Sequence, residues 1–191
     1  MLKDGVLVNL NYHQNRLIRS MDELFSGREK IDLANEISIP KDCNKGTFKV
    51  RVTYGPTIEK VEIEPYIVRT INSLKIVYHD MIDYHLKYSD RKELQQLFDQ
   101  RENCDDIIIV KNEVVTDSFA ANLLFFDGEC WFTPDSPLLH GTQRQFLIEK
   151  GLVFEKEIRV GELTGFQKVG LINAMIDFNE MPVIDFRDIV F

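Results

Sequence analysis

The stretch Val114-Val115-Thr116-Asp117-Ser118-Phe119-Ala120-Ala121-Asn122-Leu123-Leu124-Phe125-Phe126-Asp127-Gly128-Glu129-Cys130-Trp131-Phe132-Thr133-Pro134, followed after a short link by Leu138-Leu139-His140-Gly141-Thr142-Gln143-Arg144, decides how the chain is read. Residues 114–119 and 122–126 are rich in β-branched and aromatic side chains, which predicts two strands. Asp127-Gly128 is a hairpin turn signal, and 129–133 reads as the returning strand. Beyond Pro134 and Pro137, Gly141 opens an apolar pattern at Phe146, Leu147 and Ile148 that Gly151 closes. That pattern predicts a helix entered from a small residue and ended by a glycine. A glycine before a helix start leaves first-turn N–H groups available to an anion such as phosphate. Most helix starts of this kind are only structural, so the feature is weak by itself.

Working outward, residues 6–10 read as a short strand and 12–25 as a helix with Leu17, Met21 and Leu24 on one face, ended at Ser26-Gly27. A second helix is expected over 29–37, with Pro40 as a breaker. Residues 47–54 alternate as a half-buried strand, turn at Gly55-Pro56 and return over 59–65. Residues 73–78 suggest another strand, and Asp90-Arg91-Lys92-Glu93 has capping-box spacing before a helix to about residue 102. Residues 107–110 form an apolar run like a buried strand that feeds the hairpin. After Gly151, strands are expected over 155–160 and 169–175, with a short helix over 161–168, and Pro182-Val183-Ile184 closes the sheet. The pattern is α+β in two parts, a small N-terminal α+β domain over 1–82 and a β-rich domain over 83–191.

The chain has 191 residues, 44% of them hydrophobic, and a formal net charge of −8. That content supports an ordinary core, and the negative balance argues against general binding to nucleic acid or to a membrane surface. An anionic ligand must therefore be met by a few well-placed cations. No apolar run approaches a membrane span, and Met1-Leu2-Lys3-Asp4-Gly5 leads directly into a patterned strand, as expected without a signal peptide. Cys43, Cys104 and Cys130 are odd in number and widely spaced, which fits neither a disulfide framework nor a zinc site and points to a reducing cytoplasm.

Val115-Thr116-Asp117-Ser118-Phe119-Ala120-Ala121-Asn122-Leu123, followed by Pro137-Leu138-Leu139-His140-Gly141-Thr142-Gln143-Arg144, resembles the signature of the class IV aminotransferases, the fold-type IV pyridoxal-phosphate enzymes. The usual form is Val-Thr-Glu, small residues, Asn-Leu/Ile-Phe, then Leu-Pro-Gly-Val-Thr-Arg. Both blocks occur here in the family's order and at about its separation. The resemblance implies a two-domain fold, with a small α/β N-terminal domain, a C-terminal β-rich pseudo-barrel and pyridoxal 5'-phosphate between them. It also implies a homodimer acting on a small, amino-acid-like substrate.

Lys87, in Leu86-Lys87-Tyr88-Ser89-Asp90-Arg91, resembles the family's Lys-x-x-(Asn/Asp)-Arg segment, whose lysine forms the imine with the cofactor aldehyde and then carries protons. Asp117 stands where the family usually has the glutamate that pairs with the pyridine nitrogen; it keeps the charge and loses one methylene. His13-x-x-Arg16-Leu17 resembles the segment whose arginine contacts the phosphate. Thr142 and Gln143 stand at the helix start that presents N–H groups to it, with Arg144 read as a surface residue. His13 is read as structural. Arg51 and Tyr54 on the first hairpin are candidates for a substrate carboxylate, and equally for an exposed strand face.

Asn173-Ala174-Met175 with Pro182-Val183 is similar to the corresponding segment of 4-amino-4-deoxychorismate lyases. That favours release of pyruvate from 4-amino-4-deoxychorismate to give 4-aminobenzoate for folate synthesis. A branched-chain or D-amino-acid transaminase shares every cofactor residue named. Family members carry a further strand and a Gly-Asp-Gly-(Val/Phe)-Phe-Glu segment before the His-x-x-Arg block, and Met1 falls just after that point. This departure, with Asp117, leaves room for a pyridoxal-phosphate protein without turnover.

Overall fold

The computed structural model describes residues 1–25 and 30–191. The chain divides into two compact units, Met1–Val68 and Arg69–Phe191. The division falls before β5 (Leu74–Tyr78), not after Ile82 as the sequence suggested. The reason is that β5 pairs in parallel along its whole length with β6 (Asp106–Lys111), which commits it to the second unit.

In the first unit, β1 (Leu2–Lys3), β2 (Val6–Leu7), β3 (Thr47–Tyr54) and β4 (Ile58–Pro65) form a sheet in the order β2-β1-β3-β4. The β1–β2 hairpin turns at Asp4-Gly5, both with positive φ; Asp-Gly suits such a turn. Helix α1 (Leu10–Leu24) begins within the stretch expected as strand, since β2 ends at Leu7. Its Leu17 and Met21 pack with Leu33 and Ile37 against Val50, Val52 and Tyr54 of β3. The expected second helix is reduced to the single turn α2 (Leu33–Glu36), whose Asp32 side chain accepts a hydrogen bond from Ala34 N. Ser26, Gly27 and Glu29, where the first helix was expected to end and the second to begin, lie outside the described residues.

The second unit holds two sheets. One runs β13-β5-β6-β7, with β7 (Val114–Val115) and β13 (Ile189–Val190) at its edges. The other runs β10-β9-β8-β11-β12 and is built from β8 (Asn122–Phe126), β9 (Trp131–Pro134), β10 (Phe154–Lys156), β11 (Lys168–Ile172) and β12 (Val183–Asp185). Leu74, Ile76, Ile108, Val110 and Val115 meet Leu123, Phe125, Val169, Leu171 and Ile184 in one core. Ile107 and Ile109 face the other way, onto Leu94 and Leu97 of α3 (Lys92–Phe98). Burial on both faces explains why β6 reads as an unbroken apolar run. Backbone bonds from Val115 N to Ile158 O and from Val160 N to Glu113 O tie β7 to the segment that follows β10.

Several boundaries differ from expectation for local reasons. Strand β7 is short because the chain turns again at once, the turn before it being made by Asn112 and Glu113, both with positive φ. Helix α3 is capped at Arg91 with no side-chain cap bond, and Asp90 instead accepts from Lys92 N at 3.0 Å. Residues expected as a helix over 161–168 form a 3-10 turn, Val160–Gly165. Helix α4 (Thr142–Glu149) ends at Gly151, whose φ of 67° is the left-handed value that a helix-terminating glycine supplies.

Ile108 is fully buried at 0% exposure, whereas Val183 is 46% exposed. Ile108→Ala is expected to cost roughly 2–5 kcal/mol. Val183→Ala is expected to cost less than about 1 kcal/mol. Urea unfolding of both variants checks the assignment of the core.

Candidate functional site

Chain reversal over four residues builds the centre of the second unit. Ser118 N donates to Ala121 O at 2.9 Å, which turns the chain so that Asp117 and Asn122 face each other as a β-bridge. Asn122 Nδ2 donates to Asp117 Oδ1 at 2.7 Å and to Leu139 O at 2.8 Å. Leu139 N donates to Asp117 Oδ2 at 2.8 Å. One side-chain amide and one peptide group thus hold the carboxylate, and each of its oxygens keeps acceptor capacity.

The same amide abuts the start of α4. A Cβ on Gly141 would collide with Asn122 Oδ1, so only glycine lets the helix begin here. The first intrahelical bond, Gln145 N to Gly141 O, is 3.0 Å. Thr142, Gln143 and Arg144 precede it with their side chains buried, and first-turn N–H groups with the helix dipole favour an anion.

Arg144 is not a surface residue: it is 2% exposed, and its guanidinium donates to Pro134 O at 2.7 Å and to Glu155 Oε1 at 2.6 Å. It ties the helix start to β9 and β10. The sequence misled because the partners lie ten and eleven positions away on strands whose parallel pairing cannot be read locally.

Burial raises the pKa of Asp117 to about 6, against the Leu139 and Asn122 hydrogen bonds and the positive charges of Arg144 and Lys87, which pull it down. Lys87 therefore lies within electrostatic reach of Asp117. It sits exposed on the loop before α3. On that loop Tyr84 Oη donates to Tyr88 O at 2.9 Å. Asn173 donates from Nδ2 to Ala120 O at 3.3 Å and accepts from Met175 N at 2.8 Å, so its amide braces the turn after Asp117. A cleft of about 400 Å³ is lined by Tyr84, His85, Thr116, Pro137 and Leu138 among others, but not by Lys87 or Asp117.

The other candidates belong to the first unit. Arg16 lies on α1, and it adds to the burial that lowers the pKa of His13 to about 3, leaving that imidazole neutral. The structure does not bring Arg51 and Tyr54 together. Tyr54 joins Val50 and Val52 on the helix-covered face, whereas Arg51 points the other way and is 3.8 Å from Glu64 and 4.0 Å from Glu62. The sequence reading overlooked Asn122 as a site residue, although it stands in the signature five positions after Asp117. A polar residue opposite an acid across so short a reversal was the available signal.

The amino-transferase class IV family model matches residues 1–183, and the chain belongs to that family of pyridoxal-phosphate-dependent enzymes. An uncharacterized protein of Haemophilus influenzae is 36% identical over 176 residues, covering 91% of this chain and 94% of that protein. A structure from Haemophilus somnus, named as a candidate 4-amino-4-deoxychorismate lyase, superposes with a TM-score of 0.87 at 35% identity, covering 91% of this chain and 92% of that one. A candidate amino-acid aminotransferase from Mesorhizobium loti shares the fold, with a TM-score of 0.82 at 16% identity over 99% of this chain and 96% of that one. The α+β, fold-type IV architecture expected from the sequence is thereby established. Among the described residues, no helix is long and apolar enough to cross a membrane.

Two pH windows of opposite sign are expected. Asp117 has a folded pKa raised from 3.8 to about 6, so its contribution is present below 3.8 and lost as pH rises through 6. At roughly 1.4 kcal/mol per unit this is ~3 kcal/mol. His13 is lowered from 6.5 to about 3, so its contribution is present above 6.5 and lost as pH falls toward 3. Hydrogen exchange across this range should show the two units responding in opposite directions, with Asp117→Asn flattening the response of the second unit only. Gly141→Ala should break the Asn122–Asp117 bond, detected as a further rise of the Asp117 titration midpoint by carboxyl-carbon NMR.

Proposed function

We propose that the chain is a pyridoxal-phosphate lyase that converts 4-amino-4-deoxychorismate into 4-aminobenzoate and pyruvate. The observation that carries the cofactor part is the gathering, within one unit, of a buried carboxylate with spare acceptor capacity, an amine in electrostatic reach of it, and an anion-receiving helix start. These are the groups that pyridoxal phosphate needs for its ring nitrogen, its aldehyde and its phosphate, so the donor set fits. Asp117 would hold the ring N–H, with its own carboxyl drawn into the ionised form by that partner. The N–H groups of Thr142 and Gln143 would hold the phosphate, and Lys87 the aldehyde carbon. Arg16 is proposed as a further phosphate cation on its sequence segment alone. When bound, the cofactor supplies an electron sink for a carbanion next to the substrate nitrogen.

The choice of lyase rests on the 35% likeness to the Haemophilus somnus protein and on the segment from Asn173 to Val183. The reaction needs no oxidant: the ring carbon bearing the amine loses a proton, the neighbouring carbon–oxygen bond breaks, and enolpyruvate takes up a proton as it becomes pyruvate. Lys87 Nζ is the group assigned to move the proton from the ring carbon. An amino-acid transaminase is the second reading, favoured by the structural task of Asn173, which weakens that segment as a substrate signal. A homodimer acting on a small amine substrate suits either reading.

Purified protein incubated with pyridoxal phosphate, then reduced with borohydride and mapped, should carry the cofactor on Lys87. It should release 4-aminobenzoate and pyruvate in equal amounts, and Lys87→Ala should reduce turnover by about 10³-fold or more. Conversion of the cofactor to its amine form by L- or D-amino acids, without 4-aminobenzoate, would select the transaminase. Cofactor uptake with neither outcome would leave a binding protein.

A further inference from the structure

Arg91 stands four residues after Lys87, and nothing in the chemistry above uses it. It caps α3 at the N-terminus, and its Nη2 donates to Phe119 O at 2.6 Å. The same guanidinium lies over the Phe119 ring, 4.3 Å from its centroid. The other face of the arrangement is closed by Phe98, at the last position of α3, stacked on Phe119 with centroids 4.3 Å apart. Arg101 in turn covers Phe98 at 4.2 Å. Both ends of α3 therefore grip a single residue, the second after Asp117.

The grip extends to the Phe119 backbone. Its N–H donates to Asp106 Oδ1 at 3.2 Å, and the same oxygen accepts from Ile107 N at 2.8 Å. Phe119 is thus fixed through its amide by β6, through its carbonyl by Arg91 and through its ring by both ends of α3. The Tyr84–Tyr88 bond brackets Lys87 in the chain and fixes the carbonyl of its neighbour Tyr88, with those rings edge-to-face at 5.9 Å. The segment from Lys87 to Arg91 covers four residue steps, so whatever fixes Arg91 keeps Lys87 within about 13 Å of it.

We infer that Arg91 is a positioning residue that sets Lys87 against Asp117 by clamping Phe119. A planar fork that bonds a carbonyl and lies on a ring at once is a task for arginine, which lysine's single ammonium cannot reproduce. The inference deepens the proposed function and rests on it for the roles of Lys87 and Asp117. The coupling between those two residues is measurable without cofactor.

The test uses full-length, cofactor-free protein acylated with acetic anhydride across a pH series, with modification at Lys87 read by peptide mass. In the native background, Asp117→Asn removes a neighbouring negative charge and should lower the pH midpoint at Lys87. In an Arg91→Lys background that shift should vanish, while far-UV circular dichroism stays native. With cofactor bound, Arg91→Lys should lower kcat/KM by up to about 10²-fold. An Asp117→Asn shift of equal size in both backgrounds overturns the proposal and leaves Arg91 a stabilising residue. Should Arg91→Lys fail to fold, Phe119→Leu keeps the carbonyl and removes the ring, and the same loss or persistence of the shift decides. Protein that takes up no pyridoxal phosphate sinks the proposed function, yet the acylation shifts still decide whether Arg91 couples the two residues.

Discussion

A carboxylate kept in a dry place is the constraint on which the second unit turns. Asp117 loses hydration through burial and recovers only part of it from one amide and one peptide N–H. Such a group is costly unless its surroundings are fixed, since a misdirected bond leaves an unpaired buried oxygen. The surroundings are fixed from several directions: Asn122 from across the turn, Leu139 from the Pro-rich loop, Asn173 from the end of β11. The helix start at Gly141 is placed by the same amide that holds the acid. Acid and helix start thus share one scaffold, so neither can shift alone.

Much of the fold was legible because its signals are local. The hairpin around Asp127-Gly128, the buried run of β6 and the glycine-bounded helix α4 each follow from a few adjacent residues. Family and architecture followed from two short blocks at a fixed separation. Where the reading failed, either a partner distant in sequence or a weak local signal was the cause. The unit boundary depends on β5 pairing with β6 across an intervening helix. The turn at Asn112-Glu113 carries no glycine to announce it. The second helix of the first unit shrank to one turn, because apolar periodicity alone does not specify length.

The site shows the same division. Asp117, Lys87, Thr142 and Gln143 stood out by motif, and the structure gathers these four in one unit. Asn122 and Arg144, which brace Asp117 and the helix start, did not stand out, because each acts on a segment remote in sequence. A charged residue in a helical pattern reads as solvated by default. Only the packed chain shows that the Arg144 side chain is spent on Pro134 and Glu155 beneath the helix. Arg51 and Tyr54 are near neighbours in the sequence and face away from each other on β3, which strand alternation across three positions produces.

The reversal from Ser118 to Ala121 bears on how this chain can vary in length. Exposed loops ordinarily accept added residues at little cost. This one is a loop by its shape and a core element by its bonds. Asp106 and Arg91 hold Phe119, the Ser118 and Ala121 backbones close on each other, and Asn173 reaches Ala120. One extra residue would move Asn122 off Asp117 and free Gly141 from the contact that requires it. The turn's four-residue length is therefore as fixed as any side chain in the core, and insertions in this protein belong elsewhere.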